Sequence, residues 1–229
     1  MIGFILLYFV VVGLFMYANY FDLVVMRGLL KALSGIMFII VPFLVSKKNK
    51  KIRTTKYFKT MLVGFIFATL GDVLLDIDNS SFGILFIFGM LFFALTHVMF
   101  SVSFFKHIKF NKVSLISLIS LFVPTLLVLN CFNLINAGDL TLVINVYAFI
   151  ISLMVSLAIT MYSKKELNKY FKTTTLLGVI LFALSDLILV FALFGNNPSK
   201  WLLLSNNLVY YIAQLVIGLS FYKTKVSYK

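Results

Sequence analysis

Acidic side chains are scarce in this chain, seven Asp and Glu against twenty Lys and Arg in 229 residues. Cysteine is scarcer still: Cys131 stands alone, which removes intramolecular disulfides, Cys-rich zinc sites and CxxC redox chemistry together and leaves Cys131 to read as packing. Proline occurs three times, so helix breakers are few; Pro42 and Pro124 fall inside apolar runs, where each frees a backbone carbonyl and can kink a helix. Polar length is what the chain lacks most. With 62% hydrophobic and 12% charged residues and a mean hydropathy of +1.08, it carries more apolar surface than a soluble domain of this size can hide.

What is present is a series of apolar runs. Crossing a bilayer takes about 20 mainly apolar residues, and eight spans are expected, at roughly 2 to 18, 24 to 45, 57 to 77, 82 to 105, 113 to 133, 140 to 162, 172 to 194 and 201 to 222. Backbone groups in hydrocarbon must be satisfied internally, and continuous runs of this length favour helices over the alternating strands of a barrel. The fold class that follows is all-α, a polytopic bundle of eight transmembrane helices forming one membrane domain over residues 1–229. The first run lacks the positive start and small-residue cleavage site of a secretory signal, so it is retained as a helix.

The net charge of +13 is placed by topology. Lys47, Lys48, Lys50, Lys51, Arg53, Lys56 and Lys59 fill the second connection, Lys106, Lys109 and Lys112 the fourth, Lys164, Lys165, Lys169 and Lys172 the sixth, and Lys223, Lys225 and Lys229 the tail. Seventeen of the twenty cations thus lie on one side, leaving Arg27, Lys31 and Lys200 with Asp22, Asp76, Asp78 and Asp139 on the other. That is the positive-inside pattern, and it predicts a multi-pass protein of the cell membrane with both termini cytoplasmic. Its basic surface suits anionic lipid, and no nucleic acid is expected.

An internal repeat runs through the sequence. Lys56-Tyr57-Phe58-Lys59 precedes Gly64 and Asp72, and Lys169-Tyr170-Phe171-Lys172 precedes Gly178 and Asp186, with eight residues from glycine to aspartate each time. Setting Phe93 against Tyr210 then aligns His97 with Gln214 and Ser103-Phe104-Phe105 with Ser220-Phe221-Tyr222 without a gap. Helices 3 and 4 therefore resemble helices 7 and 8, and parallel repeats of about 1–110 and 111–229 follow.

Asp72 and Asp186 are costly where they stand, at least ~2.5 kcal/mol each if ionised in hydrocarbon. Gly64, Ala68 and Gly71 share a helical face with Asp72, and Gly178 and Ser185 make a weaker version for Asp186, so both should point into the bundle. Counted at ~1.5 Å per residue, Lys31, Asp72, Asn145, Asp186, Asn207, Tyr210 and Tyr211 fall in one polar layer of the outer leaflet, with His97 and Gln214 about two turns deeper as its floor. The many phenylalanines read as lipid-facing bulk.

The phrases Lys31-Ala32-Leu33, Phe67-Ala68-Thr69-Leu70-Gly71-Asp72, His97, Asn145-Val146-Tyr147, Leu181-Phe182-Ala183-Leu184-Ser185-Asp186 and Tyr210-Tyr211-Ile212-Ala213-Gln214 resemble, in order, the signature of the YhhN family. One departure is Ala32, where many relatives would carry proline. The resemblance covers helices 2 to 4 and 6 to 8. It implies a multi-spanning enzyme like the family's characterised lysoplasmalogenases, which cut the vinyl ether bond of lysoplasmalogens to a fatty aldehyde and a glycerophospho-base. No cofactor or metal is implied, and the partners are a lysophospholipid substrate and the bilayer.

The chemistry needs one acid and one base. Two carboxylates sharing a water-poor pocket supply both, as in glycosidases, whose transition state is also oxocarbenium-like. Asp72 and Asp186 are the catalytic candidates, with neither role assigned. The polar layer and the resemblance nominate Lys31, His97, Asn145, Tyr147, Ser185, Asn207, Tyr211 and Gln214 for substrate binding, Lys31 as partner to a phosphate. Rival readings stay open: the aspartates as structural bonders to Lys31, Asn145 or Tyr211, Lys31 as a snorkelling cation, His97 as a helix bridge, Asn145, Asn207 and Gln214 as interhelical glue. The rival function is a small-molecule or lipid transporter with paired intramembrane carboxylates.

Overall fold

Polar caps set where the helices begin. Asn111 accepts the amides of Val113 and Ser114 at 2.9 and 3.2 Å while Ser114 Oγ accepts the amide of Asn111, a reciprocal cap on the helix after it. Thr55, Asn168 and Ser199 accept from Phe58, Phe171 and Trp201 at 3.2, 3.3 and 3.2 Å. The computed structural model describes residues 1–78, 83–132, 134–197 and 199–223. Eight helices long and apolar enough to cross a membrane occupy them: α1 (Ile2–Tyr20), α2 (Val24–Val45), α3 (Lys56–Asp78), α4 (Ile84–Phe104), α5 (Lys112–Asn130), α6 (Thr141–Tyr162), α7 (Lys169–Phe194) and α8 (Lys200–Leu219). The chain is a multi-pass membrane protein of the expected all-α class.

Boundaries shift where a cap decides them. The seventh helix starts at Lys169, not 172, because Asn168 caps it, and the fifth ends at Asn130. The proposed starts and ends at 82 and 133, and the tail lysines Lys225 and Lys229, lie outside the described residues. Cys131 sits at the end of α5 with an exposed side chain, so it is not a packing residue: the helix stops just before it. Pro42 and Pro124 lie inside α2 and α5 as expected. At the end of α2, Arg53 folds back to donate to Ser46 Oγ at 2.9 Å and to the Phe43 carbonyl, a cation on the helix's negative end.

The two halves pack alike. α3 lies along α4 and α7 along α8, α2 joins α3 as α6 joins α7, and α4 packs on α6 as α8 packs on α2. Glycine permits the closest approaches: a Cβ on Gly64 would come within 2.5 Å of the Phe100 ring, and one on Gly178 within 2.5 Å of Ile217 Cγ1. Phe100 and Ile217 are matched by the register that sets Phe93 against Tyr210. Two helical turns further on, a Cβ on Gly71 would lie 3.1 Å from the Gly89 carbonyl, and at the corresponding place Asn206 Nδ2 donates to the Ser185 carbonyl at 2.7 Å. Close backbone contact between small residues substitutes for a hydrophobic drive that lipid cannot supply.

Aromatic rings fill the space left between helices, which corrects the expectation that phenylalanine is lipid-facing bulk. Phe15, Phe38, Phe65, Phe100, Phe182 and Tyr211 are fully buried, and Phe65–Phe100 and Phe182–Tyr210 meet edge-on at 5.4 and 5.5 Å. Such pairs contribute beyond their buried area, by about 0.5–1.5 kcal/mol. At the basic end Tyr57, from the first Lys-Tyr-Phe-Lys, packs on Phe171, from the second, at 5.6 Å, and on His107 at 4.8 Å. Burial there pushes the His107 imidazole down to about 4 and keeps it neutral.

α5 is the least enclosed helix and packs chiefly on α6. Ser114 Oγ and Thr160 Oγ1 share a hydrogen bond of 2.8 Å at one end of that seam, and the Asn130 and Asn145 amides bond reciprocally at 3.0 and 3.2 Å at the other.

Candidate functional site

α2 and α3 run antiparallel, so a cation four residues before Lys31 meets an acid four residues after Asp72. Arg27 Nε donates to Asp76 Oδ1 at 2.9 Å, and Lys31 Nζ stands 3.8 Å from Asp72 Oδ1, an ion pair too long for a hydrogen bond. Asp72 is 4% exposed and its Oδ2 has no hydrogen-bond partner among the described residues. Further out, Lys200 Nζ donates to Asp22 Oδ2 at 2.6 Å, a bond that holds the Asp22 carboxyl below the usual carboxylate range. Both side chains of that pair are well exposed, and Asp22 occupies the left-handed region at φ 54°, which aspartate tolerates better than most residues.

These three pairs line one cavity of about 210 Å³ that runs inward from the Asp22–Lys200 rim. Asp72 enters its wall from α3 and Asp186 from α7; Asn206, Asn207 and Tyr210 of α8 lie on the same wall. Both aspartates therefore open onto a shared space with charged groups at its mouth.

Asp186 has a different circle of neighbours. It is 5% exposed, and its Oδ2 lies 3.0 Å from His97 Nε2 on α4. The approach is off the ring's donor axis, so proximity is established while the oxygen's hydrogen-bonding capacity is left open. The Tyr147 hydroxyl on α6 lies 3.1 Å from the same nitrogen, and Met154 Sδ 3.4 Å from Nδ1. His97 is completely buried, with its ring 4.5 Å from that of Phe182. The sequence count placed His97 as a floor two turns below the aspartates; it sits instead against Asp186. Counting rise along each helix assumes helices parallel to the membrane normal and ignores the reach of the side chains, so a separation of two turns by count does not forbid the contact.

The remaining nominees divide. Lys31 and Asn207 line the polar cavity. Tyr147 reaches His97. Ser185 is turned to the Phe182 carbonyl at 2.7 Å. Tyr211 puts its ring against Phe15 at 5.5 Å, and its carbonyl accepts from the Tyr8 hydroxyl at 2.8 Å. Asn145 is spent on Asn130, so the single chamber expected to include it is smaller than the layer count implied. Gln214 is buried with neither amide atom bonded among the described residues.

Sequence reasoning passed over Arg27, Asp76, Asn206 and the Asp22–Lys200 rim. A signal was present for the first two: the spacings Arg27 to Lys31 and Asp72 to Asp76 are equal, and two equal steps on antiparallel helices make a ladder of two pairs.

The family model described as YhhN family matches residues 26–221, from α2 to the last turn after α8. No curated protein and no solved structure matches the chain.

Proposed function

Because the chain belongs to the YhhN family, we propose that it is a membrane hydrolase that cleaves the vinyl ether bond of a lysoplasmalogen, with Asp72 and Asp186 as its acid–base pair. The observation that carries this reading is the pair of buried carboxylates opening onto one cavity. A proton delivered to the β carbon of the vinyl ether leaves an oxocarbenium ion. Water adds to that cation, returns a proton to the site, and the hemiacetal falls apart to a fatty aldehyde and a free glycerol hydroxyl. One water is consumed in all. One carboxyl group gives the proton, and the other, ionised, steadies the cation and aims the water.

The cavity's other groups suit the rest of such a molecule. Arg27, Lys31 and Lys200 alternate with Asp22, Asp76 and Asp72, a balanced lining for a zwitterionic head group. Lys31 is the natural partner for phosphate, since its ammonium is not hydrogen-bonded to Asp72. The basic connections are taken to face the cytoplasm, so the cavity mouth faces the other side of the cell membrane.

Purified protein in detergent is expected to release fatty aldehyde and glycerophosphoethanolamine from lysoplasmenylethanolamine. Asp72→Asn and Asp186→Asn are each expected to abolish release with folded yield unchanged. Full turnover by both variants would end the acid–base proposal. The matched packing of the two halves also suits a carrier, and uptake of lysolipid into liposomes with no aldehyde would favour that reading.

A further inference from the structure

A second cavity, of about 360 Å³, lies between α5, α6 and α7. Its walls are aliphatic: Leu121 and Leu129 of α5, Ala148 and Ile159 of α6, and Ile180 and Ala183 of α7 are representative. Thr125 also lines it, but its hydroxyl is bonded to the Leu121 carbonyl at 2.8 Å and makes no demand on an occupant. Among the described residues, Asp186 is the one charged residue on the lining and the one that lines both this groove and the polar cavity. Its Oδ2 is buried without a hydrogen-bond partner among the described residues.

We propose that this groove holds the aliphatic chain of the substrate, which slides in sideways from the bilayer between α5 and α7, so that the bond joining chain to head group comes to rest at Asp186. The inference deepens the hydrolase reading and rests on it for the identity of the reacting bond. The outer wall is α5, which is held chiefly by α6, and the α7 residues Ile180, Leu184 and Leu187 that line the groove are exposed, so hydrocarbon reaches it. From Tyr147, beside Asp186, to Ile159 the groove follows α6 for about 18 Å, more than half of a ~30 Å hydrocarbon core. That length fits one extended lipid chain whose head group is drawn into the polar cavity, the chain end then reaching past the bilayer midplane. A single-chain lipid has one hydrophobic part and one polar part; the structure has one apolar groove and one polar cavity, joined at a carboxylate. Of the two aspartates, Asp186 is thereby assigned to the reacting bond, with His97 and Tyr147 positioning it, and Asp72 with Lys31 to the head-group side.

The test uses the full-length protein in nanodiscs and a non-cleavable 1-O-alkyl lysophosphatidylethanolamine with a diazirine at the chain end. Saturable adducts on α5, α6 and α7 around Ser152, Ile159 and Ile180, competed by unlabelled lysophosphatidylethanolamine, are the expected result. Adducts spread over the outward faces of all helices and indifferent to competitor would show bulk lipid only and overturn the proposal. In parallel, Ala148→Phe and Ala183→Phe narrow the groove, and each is expected to lower the ratio of long-chain to short-chain vinyl ether turnover at least tenfold. Leu91→Phe, on the outward face of α4, should leave the ratio alone. An unchanged ratio in both groove variants would also overturn it. Groove adducts with no aldehyde from any vinyl ether lipid would sink the hydrolase reading and leave the groove standing; aldehyde release with adducts elsewhere would do the reverse.

Discussion

Asp72 and Asp186 stand at matching places in two similarly packed halves, eight residues after a glycine that lets α3 touch α4 and α7 touch α8, and their companions have nothing in common. Asp72 faces a lysine across a polar cavity. Asp186 touches a fully buried histidine, which shares its nitrogen with a tyrosine hydroxyl, on the edge of an apolar groove. Where the second half would repeat His97 it has Gln214, whose amide bonds neither aspartate among the described residues. Two similarly packed halves thus set both carboxylates on the polar cavity and one of them on the apolar groove as well; on the proposed reading the first serves the head group and the second the chain. The scaffold is kept by small residues and ring contacts, while the difference in chemistry is carried by four or five side chains that the repeat does not copy.

Several substitutions break or sharpen this asymmetry. Among changes that leave both aspartates in place, the largest effect is expected from His97→Phe, which keeps a ring against Phe182 but removes the nitrogen beside Asp186: aldehyde release should fall on the order of 10²-fold, in kcat more than in KM. Gln214→Leu, at the matching position, should leave kcat within a few-fold. Equal losses from the two would mean that the halves are not divided as described.

The close approaches come next. A methyl on Gly178 would meet the Ile217 backbone nitrogen at 2.9 Å as well as its side chain, whereas one on Gly64 meets Phe100 side-chain atoms before anything else. Gly178→Ala should destabilise by about 1–3 kcal/mol and Gly64→Ala by less, read as thermal unfolding in detergent. The reverse order would show that the α7–α8 contact is the looser one. Gln214→Leu, measured the same way, should stabilise by about 1 kcal/mol, because it removes an amide buried without partners. A loss of stability would reveal that the amide is bonded.

The smallest effect concerns the basic end. His107 titrates near 4 in the folded chain and near 6.5 when free, so the unfolded chain binds more protons between those values. Its stability contribution is complete above pH 6.5 and drains away as pH falls toward 4, by about 1 kcal/mol at pH 5 after allowance for partial exposure. His107→Phe should flatten that part of the profile.

How far the sequence could be read depended on the kind of signal. Eight helices follow from run length alone, and the likeness of α3 and α4 to α7 and α8 from the shared Lys-Tyr-Phe-Lys and the glycine-to-aspartate spacing. The Arg27–Asp76 and Lys31–Asp72 ladder was readable from two equal steps. His97 on Asp186 was not, because helix tilt has no local signature and rise counting moved the two apart. Asn145 was placed with the aspartates by depth, yet its partner is Asn130, fifteen residues away across a turn. Nor could the groove be found in the sequence: Leu121, Ile159 and Ile180 have the same composition whether they wall a cavity or face bulk lipid. Phe15, Phe65 and Phe182 show the converse, buried rings that composition assigns to the lipid surface.

The central claim is that two carboxylates act on one substrate in one space. Aldehyde release by Asp72→Asn, Asp186→Asn and the double variant tests it most directly. If the pair works as a unit, the double variant is no slower than the slower single variant, since removing either partner already disables the step. Losses that multiply in the double variant, or near-normal turnover by either single one, would contradict it.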